Sequence, residues 1–127
     1  MYSKRFTASA GVRPHFVEAR ALLAGKDISV VVTGGTLAHI GAVSLAVYEP
    51  ERDSATVSTI TVHTHRDDAV AAYFAKTISR EMKCTVTVSA GLHVDDANAE
   101  DITVFQKNSH DCCAELIGML KAAAEEK

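Results

Sequence analysis

Apolar positions recur at every second residue through the first half of this chain and at every third or fourth residue through most of the second half. From Phe16 to Leu23, apolar Phe16, Ala19, Ala21 and Leu23 interleave with Glu18, Arg20 and Leu22, an imperfect alternation that predicts a half-buried strand. Gly25-Lys26-Asp27 supplies turn chemistry, and the β-branched run Ile28 to Val32 begins directly after it, so the pair predicts an antiparallel hairpin. The chain is then expected to leave the sheet at Gly34-Gly35. Alternation resumes from Gly41 to Tyr48, with Ala42, Ser44 and Ala46 on one face and Val43, Leu45 and Val47 on the other. The short polar link Glu49 to Ser54, which contains Pro50, suits a hairpin connection to a fourth strand from about Thr56 to His63.

Beyond His65 the period changes. Asp67 or Asp68 can cap a helix whose buried stripe is Val70, Ala71, Phe74, Ala75, Ile78 and Met82, with Lys76, Arg80 and Glu81 toward solvent. It should end near Lys83, and Thr85 to Ala90 reads as a fifth strand stopped by Gly91. From Asn98 to Lys127 the pattern is helical, with apolar Ile102, Phe105, Cys112, Leu116, Ile117 and Leu120. Asn108-Ser109 interrupts it, and Ser109 is the expected N-cap of the last helix. The expected fold is therefore α+β: a four-stranded antiparallel meander, a helix, a fifth strand and a C-terminal helix or helix pair. One domain over residues 1–127 is expected, with residues 1–14 as a poorly ordered extension.

Composition narrows the function classes. With 47% hydrophobic and 23% charged residues the chain can build a core without a disulfide or metal staple. Thirteen Lys and Arg face sixteen Asp and Glu, and no basic cluster could neutralise several phosphates, so nucleic acid is not an expected partner. Three cysteines, Cys84, Cys112 and Cys113, lack C-x-x-C spacing and read as small buried hydrophobes. The polar N-terminus does not look like a signal peptide, and no run approaches the roughly 18 apolar residues of a membrane span. A cytoplasmic protein without membrane association is expected.

Candidate chemistry collects in three histidine-bearing loops. The first runs from Thr33-Gly34-Gly35 through His39 to Gly41, where glycines allow close backbone approach to a ligand and exposed N–H groups could cradle an anion. It is neither G-x-G-x-x-G nor a P-loop, and a tight structural loop is the plainer reading. The second is His63-Thr64-His65-Arg66-Asp67-Asp68, whose H-x-H spacing puts two imidazoles on one side of an extended segment, usable by zinc or manganese with a carboxylate. Its plainer reading is a strand end followed by helix-capping acids. The third is Gly91-Leu92-His93-Val94-Asp95-Asp96, where His93 lies near His39 or His65 if the fifth strand pairs in parallel with an earlier one. No G-x-S-x-G elbow or paired-carboxylate pattern supports covalent catalysis.

Gly34-Gly35-Thr36-Leu37-Ala38-His39-Ile40-Gly41-Ala42-Val43, His65-Arg66-Asp67-Asp68 and Ala90-Gly91-Leu92-His93-Val94-Asp95, in that order, resemble the small LpdD-like proteins over about Val17 to Leu120. That family is described as prenylated-flavin chaperones and as the small D subunit of gallate-type decarboxylases. The resemblance implies a non-catalytic accessory protein that handles or protects prenylated FMN, or FMN, transiently for a UbiD-like decarboxylase. It also implies a fold similar to proteasome-assembly-chaperone domains and a homodimer. Thr33, Gly34, Gly35, His39, Gly41, His65, Asp67, Asp68, Gly91, His93 and Asp95 become the expected cofactor-binding residues. The polar N-terminus and Cys112-Cys113 have no counterpart in the resemblance. With no tryptophan, three tyrosines and four phenylalanines, an extensive aromatic sandwich is not expected, which suits transient flavin binding. The competing readings are a metal-dependent enzyme using His39, His65 and His93, and a purely structural homodimeric module.

Overall fold

The structure is a computed structural model that describes residues 4–62 and 67–125. Among these residues the chain forms six strands and two α-helices: β1 (Arg5–Ala10), β2 (Val17–Ala24), β3 (Asp27–Gly35), β4 (Ala42–Glu49), β5 (Ser54–Thr61), α1 (Asp68–Met82), β6 (Val86–His93) and α2 (Ala99–Glu125). The α+β class is as the sequence predicts. The strand order is β1-β2-β3-β6-β4-β5, so the expected continuous meander is divided: β6 lies between β3 and β4, parallel to the first and antiparallel to the second. Alternation fixes which side chains face inward but not which strand lies beside which, and sequence neighbours are only the default pairing. Asp27 helps to seat β6, since its Oδ1 accepts a hydrogen bond from the Thr85 N–H at 3.0 Å.

Two further boundaries differ. Arg5–Ala10, expected to lie in an extension, forms β1 on the edge of the sheet and pairs antiparallel with β2. Its own alternation of Phe6, Ala8 and Ala10 with Arg5, Thr7 and Ser9 is the signal that identifies it. The expected break at Asn108-Ser109 does not occur, because α2 is continuous and both residues are buried within it. Asn108 Nδ2 donates to the His15 carbonyl at 2.8 Å, so an amide that could have competed for the local backbone holds the β1–β2 loop instead. The helix begins at Ala99, directly after Asn98, and not at Ser109. Asn98 Oδ1 accepts from the Asp101 N–H at 2.8 Å and Asp101 Oδ2 accepts from the Asn98 N–H at 3.0 Å, a reciprocal cap. These contacts, with His15 Nε2 2.8 Å from Asp101 Oδ1, hold the Asp101 carboxyl below its ordinary range. The resulting stabilisation is present above the ordinary carboxyl range and is lost as pH falls through the lowered value.

Both helices pack on one face of the sheet, α1 over β4, β5 and β6 and α2 over β1 and β2. The core between them contains Val17, Val30, Val32, Val86, Val88, Phe74, Ile78 and Leu116, each fully buried. Among the described residues no helix packs on the opposite face, and Val31, Val43, Leu45 and Val47 remain partly exposed there. Neither helix is long and apolar enough to cross a membrane.

All three cysteines are buried and unpaired. Burial pushes the Cys84 thiol up to about 11 and the Cys112 and Cys113 thiols up to about 12. A disulfide reagent at pH 8 should therefore leave the native thiols unmodified and label all three only after denaturation. Rapid native labelling of Cys112 or Cys113 would contradict this packing.

Candidate functional site

The site is built where β3 and β6 run side by side. Their parallel register places Thr33 opposite Gly91, Gly34 opposite Leu92 and Gly35 opposite His93. The first and third loops expected from sequence therefore leave the same end of the sheet. Gly34 and Gly35 are the last two residues of β3, so the chain leaves the sheet at this glycine pair as expected.

After Gly35 the chain crosses the end of β6 and is pinned to it on both sides. The Thr36 N–H donates to the His93 carbonyl at 2.8 Å, and the Gly41 N–H donates to the Ala90 carbonyl at 2.8 Å. The crossing is close. Gly35 has φ +78°, and a Cβ there would overlap the His93 carbonyl oxygen, whereas a Cβ on Gly91 would overlap the carbonyl of His39. The strap that presents His39 thus requires glycine at these two positions for internal reasons. Gly41 closes it onto the next hairpin, its carbonyl accepting from the Val62 N–H at 2.7 Å.

Asp67 joins the strap to α1. It stands at the N-cap position, yet its side chain makes no capping hydrogen bond. Its carboxyl group turns inward: Oδ2 lies 3.0 Å from His39 Nε2, and Oδ1 accepts from the Leu92 N–H at 2.8 Å. Asp67 is buried, and the reading of its side chain as a helix-capping acid is corrected, since its oxygens bond elsewhere. One carboxyl group ties together the helix start, the His39 strap and the end of β6.

His93 faces His39 across the strap, their rings perpendicular with centroids 6.0 Å apart. Its Nε2 lies 2.8 Å from Asp95 Oδ1. The parallel pairing of β3 with β6 thus brings two of the three histidine loops together, each imidazole with its own carboxyl partner. His63, His65 and Arg66 lie outside the described residues. Among the described residues no group of three or more His, Cys, Asp or Glu side chains could hold a metal ion.

Beside the histidines a cavity of about 740 Å³ opens between the end of β6, the first turn of α1 and the first turns of α2. Val70, Leu92, Val94, Ile102 and Phe105 give it apolar walls, and Asp67, Asp68, His93 and Gln106 supply polar groups. The volume falls within the roughly 300–1,000 Å³ of small-molecule and cofactor sites. Three of the residues expected to bind a cofactor, Asp67, Asp68 and His93, line it directly; His39 supports its wall through Asp67. The apolar half was absent from the sequence-based site. Val70 and Phe105 belong to the stripes that periodicity assigns to the core, and only the packing of the helices shows that the stripes also border an open space.

The model of the prenylated flavin chaperone LpdD-like domain matches residues 11–121. The chain is 29% identical over 98 residues to protein LpdD of Lactiplantibacillus plantarum, an alignment covering 77% of this chain and 72% of the relative. In fold it is similar to a chain from the crystal structure of a novel chaperone complex for yeast 20S proteasome assembly, with a TM-score of 0.64 and 17% identity. That superposition covers 96% of this chain and 98% of the other.

Proposed function

The chain belongs to the LpdD-like family of prenylated flavin chaperone domains, and from that premise we propose that it is a cytoplasmic, non-catalytic accessory protein that holds prenylated FMN for a UbiD-like aromatic acid decarboxylase. The observation that carries this reading is the apolar cavity beside the paired histidines.

Its chemistry fits the ring end of a prenylated flavin. Val70, Leu92, Val94, Ile102 and Phe105 offer the desolvated surface that a large fused ring needs. His93, oriented by Asp95, and Gln106 provide polar atoms for the heteroatoms of the ring edge. The described wall residues are apolar, polar or acidic, so this half of the site selects the ring and not the phosphate. His39 and the glycines shape the wall, and Asp67 locks them to α1. Phe105 is the single phenylalanine on the described wall, and a ring gripped by one aromatic and several aliphatic side chains is held loosely enough to be passed on. Decarboxylation itself belongs to the partner enzyme.

The test is co-expression of a UbiD-like decarboxylase with a source of prenylated FMN, with and without this chain. Cofactor occupancy and specific activity of the purified decarboxylase should both rise in the presence of the chain, and the rise should shrink with His93→Ala. Unchanged occupancy and activity would remove the reading.

A further inference from the structure

A second cavity, of about 200 Å³, lies at the other end of the sheet, between the β2–β3 turn, the end of α1 and the last turns of α2. β3 starts beside it at Asp27 and ends beside the histidines at Gly35, so roughly 25 Å of strand separates the two cavities. Phe6, Leu23, Ile28, Met82 and Leu120 give it apolar walls, and Ala123 and Ala124 of α2 are too short to fill the space. Its charged wall residues are Lys4 and Lys26, and among the described residues no acidic side chain lines it. Neither lysine forms an ion pair with a described residue, whereas the two lysines of α2, Lys107 and Lys121, each meet a carboxylate oxygen at 2.7 Å. The backbone of Lys4 is fixed at the rim, where its carbonyl accepts from the Leu23 N–H at 3.2 Å.

We propose that this cavity is a binding site for a small amphipathic carboxylate, a straight-chain fatty acid of about eight carbons. Size, shape and charge select that class. An apolar cavity of about 150 Å³ takes a six-carbon ring, so one of about 200 Å³ holds about eight carbons. The same volume lies below the roughly 300 Å³ at which cofactor sites begin, which excludes a flavin. Leucine, isoleucine and methionine side chains shape themselves around a flexible chain, and the thioether of Met82 is the most adaptable of them. The charge is opposite to that of the histidine cavity, which Asp67 and Asp68 line. Two ammonium groups on flexible stems can close over one carboxylate with charge-assisted hydrogen bonds. A cation would be repelled, and a neutral guest would leave both ammonium groups unmatched.

This site is independent of flavin binding, and its test needs neither flavin nor decarboxylase. In a methyl NMR titration of the full chain, octanoate should bind saturably, shifting the methyl signals of Leu23, Ile28 and Leu120 and leaving that of Ile102, in the histidine cavity, unmoved. From butanoate to octanoate each added methylene should tighten binding about fourfold, with no further gain at decanoate. Lys4→Gln combined with Lys26→Gln should weaken octanoate about tenfold and leave the affinity for octanol unchanged. Ala124→Phe, at an exposed position of α2 where the core is untouched, should fill the cavity and abolish the shifts. The proposal is overturned if octanoate does not saturate, if its shifts centre on Ile102, or if octanol binds the unmodified chain as tightly as octanoate.

Discussion

Replacing Gly35 with alanine should destabilise the fold by about 3 kcal/mol, combining the cost of a left-handed backbone for an L-residue with that of forcing an atom into filled space. The backbone at Gly35 has φ +78°, and the position a methyl group would take is occupied by the carbonyl oxygen of His93. That oxygen cannot retreat freely, because it also accepts the Thr36 N–H that starts the strap. Gly25 is the natural control: its φ is +65°, but nothing lies within 4 Å of the point where a methyl group would sit. Gly25→Ala should therefore cost only the conformational part, about 1 kcal/mol. Urea midpoints for the two variants, at unchanged slope, measure the difference. Equal losses at the two positions would mean that the strap does not cross β6 as closely as described.

Asp67→Ala should cost about 2–4 kcal/mol, because it strips partners from two groups at once in a buried setting. The Leu92 N–H loses the oxygen it donates to at 2.8 Å, and His39 loses the carboxyl group 3.0 Å from its Nε2. Its neighbour gives the contrast. Asp68 lies in the first turn of α1, and Asp68→Ala should cost no more than about 1 kcal/mol, the usual worth of a first-turn acid. Amide exchange adds a local readout: the Leu92 N–H should exchange much faster in Asp67→Ala while the amides of Val86 and Val88 keep their protection. If the two aspartates cost the same and Leu92 stays protected, Asp67 is acting as an ordinary helix-terminal acid.

Much of this architecture is legible in the residue order, and the exceptions have specific physical causes. The hairpin from Val17 to Gly35, the strand from Ala42, the stripe of α1 and the run from Val86 follow directly from periods of two and of three to four, since burial on one face imposes those periods. The position of β6 does not follow from them. Val86 and Val88 would be equally buried beside β5, and only the helix that returns β6 to the middle of the sheet decides the matter. Asn108 and Ser109 misled for a related reason: polar residues that often break helices can sit inside one when a tertiary contact, here the carbonyl of His15, takes up the side chain.

The candidate site divides in the same way. His39 and His93 stand out in sequence as titratable residues two positions from a glycine, and Asp67 as an acid opening a helical pattern; the parallel pairing of β3 with β6 brings the two histidines together, and the start of α1 lays Asp67 against His39. The reason for the glycines could not be read from sequence. A glycine that admits a ligand and a glycine that admits the protein's own carbonyl are identical in the alphabet, and at Gly35 and Gly91 the carbonyls of His93 and His39 fill the space. Ile102 and Phe105 were hidden in the opposite sense, as members of an apolar stripe whose first turn borders a cavity.

The most direct measurement of the central claim is a fluorescence titration of the purified chain with prenylated FMN, repeated with Ile102→Glu. Ile102 lines the cavity yet is 45% exposed, so a charge there burdens a bound ring without entering the core. The account predicts saturable binding of one flavin per chain, weakened about tenfold or more by Ile102→Glu, because the carboxylate would be desolvated beneath the ring. Absence of saturable binding by the unmodified chain, or an affinity that Ile102→Glu leaves unchanged, would contradict it.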